Sequence, residues 1–321
     1  MQHDSRIYVA GHRGLVGSAI VRKLQAEGYS NVVTRTRAEL DLIDQRGVTQ
    51  FFRDAKPEYV FVAAARVGGI YANSTKQADF LYENLMIAAN VIHAAAVHGT
   101  EKLLFLGSSC VYPKNAPLPI RETSLMTGPA EPTNEGYAVA KIAGMKLCEM
   151  FMRQYGKRFI SAMPTNLYGP RDNFHPTDSH VIPGMMRRFH EAKRDDARFV
   201  SVWGTGTARR EFLHVDDLAD ALYLLMTQYE ESTTVNVGTG EDCTIAELAQ
   251  LMKETTGFQG EIRFDPTKPD GMPRKVLDVH RIRSLGWAPR HTLREGLAEV
   301  YRWAKDNGVF ETGPLATAHA G

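Results

Sequence analysis

Cysteine is scarce in this chain, and its three copies, Cys110, Cys148 and Cys243, are far apart and odd in number. That spacing argues against a disulfide framework and against a clustered zinc site, so reduced thiols and no metal centre are expected. An excess of charge is missing too: 38 lysine and arginine residues against 37 acidic ones leave a formal charge of +1. Such a balance gives no electrostatic footprint for nucleic acid or an anionic membrane, so any anionic partner has to be met locally. No apolar run approaches the roughly 18 residues expected of a membrane helix. Met1 to Arg6 lead straight into a strand-like stretch without a basic start and a hydrophobic leader; export is therefore not expected and the setting reads as cytoplasmic. Internal repeats, low-complexity tracts and independent linkers are also lacking.

What is present is alternation. Runs rich in valine, isoleucine and phenylalanine recur at 6–10, 31–35, 59–65 and 102–107, separated by amphipathic stretches of helical length. This order predicts βαβ units around a parallel sheet, a Rossmann-type doubly wound α/β fold. Helices are expected over 18–27, 80–97 and 135–155, with Gly28, Gly99 and Gly156 at their ends. A buried strand follows at 159–164, then loops rich in proline, asparagine and glycine over 166–183, of the kind that often hold sites. Beyond them, helices near 181–193, 216–226, 244–256 and 293–307 alternate with strands near 199–203, 234–237 and 261–264. The expected division is a cofactor-binding domain over 1–165 and a smaller α/β substrate lobe over 166–321, with segments of the latter returning to the sheet. The small, polar tail from Glu311 is expected to be mobile.

The first strand runs into Gly11-His12-Arg13-Gly14-Leu15-Val16-Gly17, which opens the first helix. Glycines there permit a tight turn and close approach of backbone to a pyrophosphate, and the helix N-terminus offers unpaired N–H groups. An NAD-selective site carries an acidic residue about 20 residues later to hold the ribose 2′-hydroxyl. Here the second strand ends instead in Val33-Thr34-Arg35-Thr36-Arg37. Arg13 and Arg37 suit a 2′-phosphate and argue for NADP(H); the alternative for each is a solvated surface arginine. Ala63 to Gly69, small residues ending the third strand, can admit the cofactor to the backbone or simply pack the sheet under a helix.

Tyr137 and Lys141 stand four apart, hence on one helical face. An ammonium beside a phenol of reference pKa about 10 favours the phenolate, which would bring proton exchange nearer neutral pH. Ser108 directly follows the fourth strand, at the carboxyl end where α/β sheets place ligands, and can hydrogen-bond a substrate carbonyl. Glycine turn, strand-end serine and Tyr-Lys pair, in that order, define a carbonyl redox site.

On these residues the chain resembles the extended short-chain dehydrogenase family of nucleotide-sugar enzymes over nearly its full length. The resemblance is carried by Gly-His-Arg-Gly at 11–14, Gly-Ser-Ser-Cys-Val-Tyr-Pro at 107–113, Glu-Pro-Thr-Asn-Glu at 131–135 and Pro-Thr-Asn-Leu-Tyr-Gly-Pro at 164–170. Asn-Phe-His-Pro at 173–176, Ser-His-Val-Ile-Pro at 179–183 and Arg-Glu-Phe-Leu-His-Val-Asp-Asp at 210–217 continue it. These match the branch that converts GDP-4-dehydro-6-deoxy-D-mannose to GDP-L-fucose, epimerising carbons 3 and 5 and then reducing carbon 4 with NADPH. The resemblance implies catalytic roles for Ser108, Tyr137 and Lys141, with Cys110 as base and His180 as acid in epimerisation. It implies cofactor contacts from Gly11, His12, Arg13, Gly14, Leu15, Val16 and Gly17, from Arg37, Asp41 and Leu42, and from Leu106, Gly107, Ser108 and Ser109. Lys141, Pro164, Thr165, Asn166, Leu167 and His180 complete that set. It also implies that Arg188, Trp203, Arg210 and Asp270 receive the GDP-sugar, and that the chain forms a homodimer through helices 80–97 and 135–155.

Plainer readings stand beside these: a buried apolar cysteine, an ordinary loop histidine, a solvated helix arginine at 188, a core aromatic at 203, an ion pair at 210 and a turn-holding carboxylate at 270. A dehydratase would show an acidic pair where this chain has Ser109-Cys110, and a single-site 4-epimerase would need no Cys110 and His180. A nonenzymatic NADPH-binding regulator would be expected to lack Tyr137 or Lys141.

Overall fold

The computed structural model describes residues 1–68, 70–176, 178–268 and 270–311. Gly69, read above as part of a strand end, and the tail beyond Glu311, read above as mobile, lie outside the described residues, as do Thr177 and Pro269. The first half alternates as its hydrophobic pattern requires: β1 (Ile7–Ala10), α1 (Leu15–Ala26), β2 (Val32–Val33), α2 (Gln45–Ala55), β3 (Tyr59–Val62), α3 (Ile70–Thr75), α4 (Gln77–Val97), β4 (Lys102–Leu106), α5 (Glu135–Tyr155) and β5 (Arg158–Pro164). The second half adds β6 (Asn166–Tyr168), α6 (Val181–Arg194), β7 (Phe199–Trp203), β8 (Arg209–Arg210), β9 (Phe212–His214), α7 (Val215–Gln228), β10 (Val235–Val237), β11 (Cys243–Thr244), α8 (Ile245–Thr256), β12 (Glu261–Asp265), β13 (Arg274–Lys275), α9 (His280–Ser284) and α10 (Leu293–Asp306).

Six strands form one parallel sheet in the order β10-β5-β4-β3-β1-β2. Every residue of β1, β3 and β4 is buried, which is why these strands read as continuous apolar runs rather than alternating ones. The chain leaves β1 for β2 on one side and returns to β3 on the other, so the sheet changes direction beside β1. Ligands of open α/β sheets bind at such a switch point, outside the carboxyl ends of the strands. Here those ends are Ala10, Val62 and Leu106.

β10 comes from the second half of the sequence, and so does α7, which packs on α1. The rest of that half builds a second core around Ile182, Met186, Phe189, Val202, Leu248, Met252 and Val300. Its helices α8 and α10 both open on full capping boxes, Thr244 with Glu247 and Thr292 with Glu295. Each box satisfies two amide groups that the helix leaves orphaned.

Helix α4 departs from the sequence expectation. It is 21 residues long, and an 18-residue window of it has a mean hydropathy of 1.3, enough to meet the length and composition of a membrane span. Half of that window is buried inside the protein, and α4 packs against α5 and α2.

The placement of α5 is set by its small residues. A Cβ on Gly144 would come within 2.5 Å of the Phe105 ring, so glycine lets the helix press directly onto β4. Gly156, at φ +66°, stops the helix in the left-handed conformation.

Candidate active site

The loop between β1 and α1 is closed by a hydrogen bond from the Gly14 amide to the Gly11 carbonyl, 3.1 Å. Gly14 caps α1 without a side-chain hydrogen bond, so the amides of the first turn stay open to an anion. Gly17 allows no side chain at all: its Cβ would lie 2.1 Å from the Gly11 oxygen and 2.9 Å from the His12 Cα. Gly17→Ala is therefore expected to force the loop open and weaken dinucleotide binding about tenfold or more, the equivalent of a 1–3 kcal/mol overpacking cost. Fluorescence titration with NADPH measures it.

Arg13 and Arg37 are exposed, and Arg37 Nε lies 3.8 Å from Asp41 Oδ2. The following turn is held by Asn90 of α4, whose Nδ2 donates to the carbonyls of Leu42 and Ile43 at 3.0 Å each. Burial, Arg13 and Arg171 depress the pKa of His12, while Glu39 opposes them. This mouth is thus more cationic than the near-neutral chain.

Ser108 leaves β4 in an extended conformation and caps a short 3-10 turn over Ser109–Val111. The turn folds Cys110 back onto it: Ser108 Oγ donates to Cys110 Sγ at 3.1 Å and accepts from the Cys110 amide at 3.3 Å. Tyr137 arrives from α5, and its phenol hydrogen-bonds Ser108. One turn further, Lys141 is buried, with Nζ donating to the Leu106 carbonyl at 2.8 Å and standing 5.8 Å from the centre of the Tyr137 ring.

The electrostatics differ from the sequence expectation. Burial pushes the Tyr137 phenol up, a charge on Cys110 would push it further, and the Ser108 hydrogen bond opposes both. Lys141 does not draw the phenol toward neutrality; its own pKa is lowered to about 8 by burial. The reason is that both groups are desolvated, which disfavours ammonium and phenolate alike, and that the ammonium is turned onto the Leu106 carbonyl. Tyr137 is held as a neutral proton donor.

His180 caps α6, with 52% of its side chain accessible and Nδ1 3.8 Å from Asp172 Oδ1. Asp172 raises the pKa of His180, with smaller contributions from Cys110 and Asp178, while desolvation opposes them. Ser108, Cys110, Tyr137, Lys141 and His180 therefore come together from three separate stretches of chain. The other two cysteines keep structural places: Cys148 is buried in α5, and Cys243 lies in β11 with its thiol pushed up to about 11 by burial.

Pro164 ends β5, and the Thr165 amide bonds the Val237 carbonyl at 3.0 Å. Asn166 Nδ2 donates to the Glu211 carbonyl at 2.8 Å, and Leu167 packs against the main core. Glu211 itself is fully buried, and its carboxylate accepts from the amides of Gly240 and Leu277, both at 2.8 Å. The sequence motif shows Glu211 but not this clamping role.

A second group lies in the lobe. Arg188 Nη1 donates to the Ser201 carbonyl at 3.4 Å and its Nε to the Gly184 carbonyl at 3.2 Å. Arg210 Nη2 donates to the Asp270 carbonyl at 3.2 Å. Burial lowers the pKa of both guanidinium groups. Neither has an ion-pair partner among the described residues, so both remain available to a diphosphate. Trp203 is 60% exposed, with the Lys268 ammonium 5.9 Å from its ring centre. Asp270 accepts from Thr205 N at 2.7 Å and Thr205 Oγ1 at 2.8 Å, an arrangement that favours its turn-holding reading. Sequence reasoning missed Asp172 and Arg171; the signal for the latter is conformational, a non-glycine residue at φ +68°.

Sheet, glycine loop and Tyr-Lys pair together define a nucleotide-dependent oxidoreductase fold, and the chain belongs to the NAD dependent epimerase/dehydratase family, whose model matches residues 7–238. It is 59% identical over 304 residues to GDP-L-fucose synthase 1 of Arabidopsis thaliana, covering 95% of this chain and 94% of that one. It is 54% identical over 311 residues to GDP-L-fucose synthase of Escherichia coli (strain K12), covering 94% and 97% respectively. Among solved structures, a GDP-L-fucose synthetase from Naegleria fowleri bound to NADP matches with a TM-score of 0.89 and 28% identity, over 98% of this chain and 97% of that one.

Proposed function

We propose that the protein converts GDP-4-dehydro-6-deoxy-D-mannose to GDP-L-fucose, acting as a 3,5-epimerase and an NADPH-dependent 4-reductase. The observation that carries this reading is the convergence of Cys110 and His180 on the Ser108, Tyr137 and Lys141 site: a plain reductase needs only the last three. The C–H bonds at carbons 3 and 5 flank the carbonyl, so the Cys110 thiolate takes a proton from carbon and the electron pair moves onto oxygen 4. Ser108 and Tyr137 stabilise that enolate oxygen by hydrogen bonding. His180 returns a proton to carbon from the opposite face, inverting the centre. NADPH, when bound, supplies the hydride that reduces carbon 4. Tyr137 then gives its proton to oxygen 4, and Lys141 orients the nicotinamide ribose.

The cofactor is held by the Gly11 to Gly17 loop and the amides of α1, with Arg13 and Arg37 facing the 2′-phosphate. Arg188 and Arg210 take the diphosphate of the substrate, beside Trp203. The protein works as a homodimer in the cytoplasm. Dimerisation is supported by the exposed apolar side chains of Tyr82 and Leu85 on α4 and Val139, Met150 and Tyr155 on α5; the location is supported by three free thiols.

Incubation of the purified chain with GDP-4-dehydro-6-deoxy-D-mannose and NADPH is expected to oxidise the cofactor and yield GDP-L-fucose. NADH should serve far less well, and the double variant Arg13→Ala, Arg37→Ala should lose about tenfold or more of the preference, as one charge-assisted contact is worth about 1.5–3 kcal/mol. Equal kcat/KM for the two cofactors in the unaltered protein would sink the 2′-phosphate assignment.

A further inference from the structure

Asp172 enters the site through a backbone conformation rather than a motif position. It follows Arg171, whose φ of +68° is one that a long side chain keeps only where its surroundings impose it. The Asp172 side chain is 4% exposed, and its Oδ1 accepts from the Asn173 amide at 2.7 Å while lying 3.8 Å from His180 Nδ1. Its Oδ2 is buried and has no hydrogen-bond partner among the described residues. Buried carboxylate oxygens are nearly always paired, and the His180 imidazole, with Nδ1 3.8 Å from the neighbouring Oδ1, stands beside this one.

His180 needs such a partner. It caps α6, where the helix N-terminus carries partial positive charge and works against an imidazolium. The titratable groups that face it are Asp172, Cys110 and Asp178, and Asp172 acts most strongly. We propose that Asp172 is the positioning residue for His180: its carboxylate turns Nδ1 toward itself and leaves Nε2 to face the sugar, holding the ring as the imidazolium that epimerisation uses as its acid. This rests on the reading of His180 as that acid. The logic is that of any histidine whose working nitrogen is set by the hydrogen bond at the other one.

The test is an NMR titration of the full-length protein labelled at histidine, with the His180 signal identified by its loss in His180→Gln. His180 is expected to titrate above the ordinary imidazole value of about 6.5, and Asp172→Asn to lower it by about one unit or more. The alkaline limb of solvent-deuterium incorporation into the sugar should move down with it, because the protonated ring is the active form and is lost as pH rises through its pKa. KM for the GDP-sugar should stay unchanged, and Asp172→Glu should restore part of the shift. His180 titrating at or below about 6.5 in the unaltered protein would overturn the proposal, and that measurement stands even if Asp172→Asn fails to fold. An unmoved His180 in a folded Asp172→Asn would overturn it equally. Undiminished exchange in His180→Gln would instead sink the acid role itself, and the titration separates the two failures because it needs no substrate.

Discussion

Tyr137→Phe is expected to slow reduction at carbon 4 by about 10²–10⁴-fold, the range that a positioned general acid contributes. The hydroxyl is the only part of the side chain that the substitution removes, and the ring keeps its place beside Lys141. NADPH affinity should therefore hold, while kcat for cofactor oxidation collapses. Because burial keeps the phenol protonated well above neutrality, the loss should be nearly constant from pH 6 to about 8. Lys141, lowered to about 8, sets the alkaline side: its ammonium form is lost as pH rises through that value, and reduction in the unaltered protein should fall off there. Stopped-flow absorbance of NADPH under single turnover separates this step from product release. A Tyr137→Phe variant within tenfold of the parent rate would remove Tyr137 from the reduction.

Cys110→Ser and His180→Gln are expected to leave reduction chemistry standing and to suppress inversion. In deuterated water without NADPH, the parent protein should exchange the hydrogens at carbons 3 and 5. Cys110→Ser should lose this by about 10²–10⁴-fold, as a hydroxyl is far less acidic than a thiol and cannot supply the base. His180→Gln should lose the return of the proton from the second face. With NADPH added, both variants should accumulate sugar reduced at carbon 4 without inversion, identifiable by proton coupling constants. Full inversion in both would leave the two residues without a part in epimerisation. Loss of reduction alongside inversion would show that the Ser108–Cys110 contact supports Tyr137 rather than a separate base.

The elements that the sequence shows most clearly are those with long, regular patterns. Helix α5 is found with the expected bounds, because Gly156 marks its end and its period persists over 21 residues. Strand β7 likewise begins and ends where its apolar alternation does. The pieces that stay hidden are short or irregular. Strands β8, β9, β11 and β13 hold two or three residues each, too few for a period to be read. Strand β2 stops at Val33 rather than extending to Thr34 and Arg35. Within the site, Ser108, Tyr137 and Lys141 are legible because their spacing follows from one strand end and one helix face. The proximity of Asp172 to His180 is not, since it depends on a left-handed residue and on where α6 begins. The raised pKa of Tyr137 is not legible either, because the sequence shows which charges are near and not how much water burial removes.

Strand β10 has a consequence for the life of the chain before it is an enzyme. It completes the sheet by pairing with β5, yet it is made some 70 residues later in the sequence. Until residues 235–237 leave the ribosome, β5 is an open edge, the kind of surface that invites pairing with another chain. Lys102, fully buried in β4, also waits for the carbonyls of Leu225 and Tyr229 and the carboxylate of Glu230. Truncation after β5 is therefore expected to leave a sticky, half-satisfied sheet.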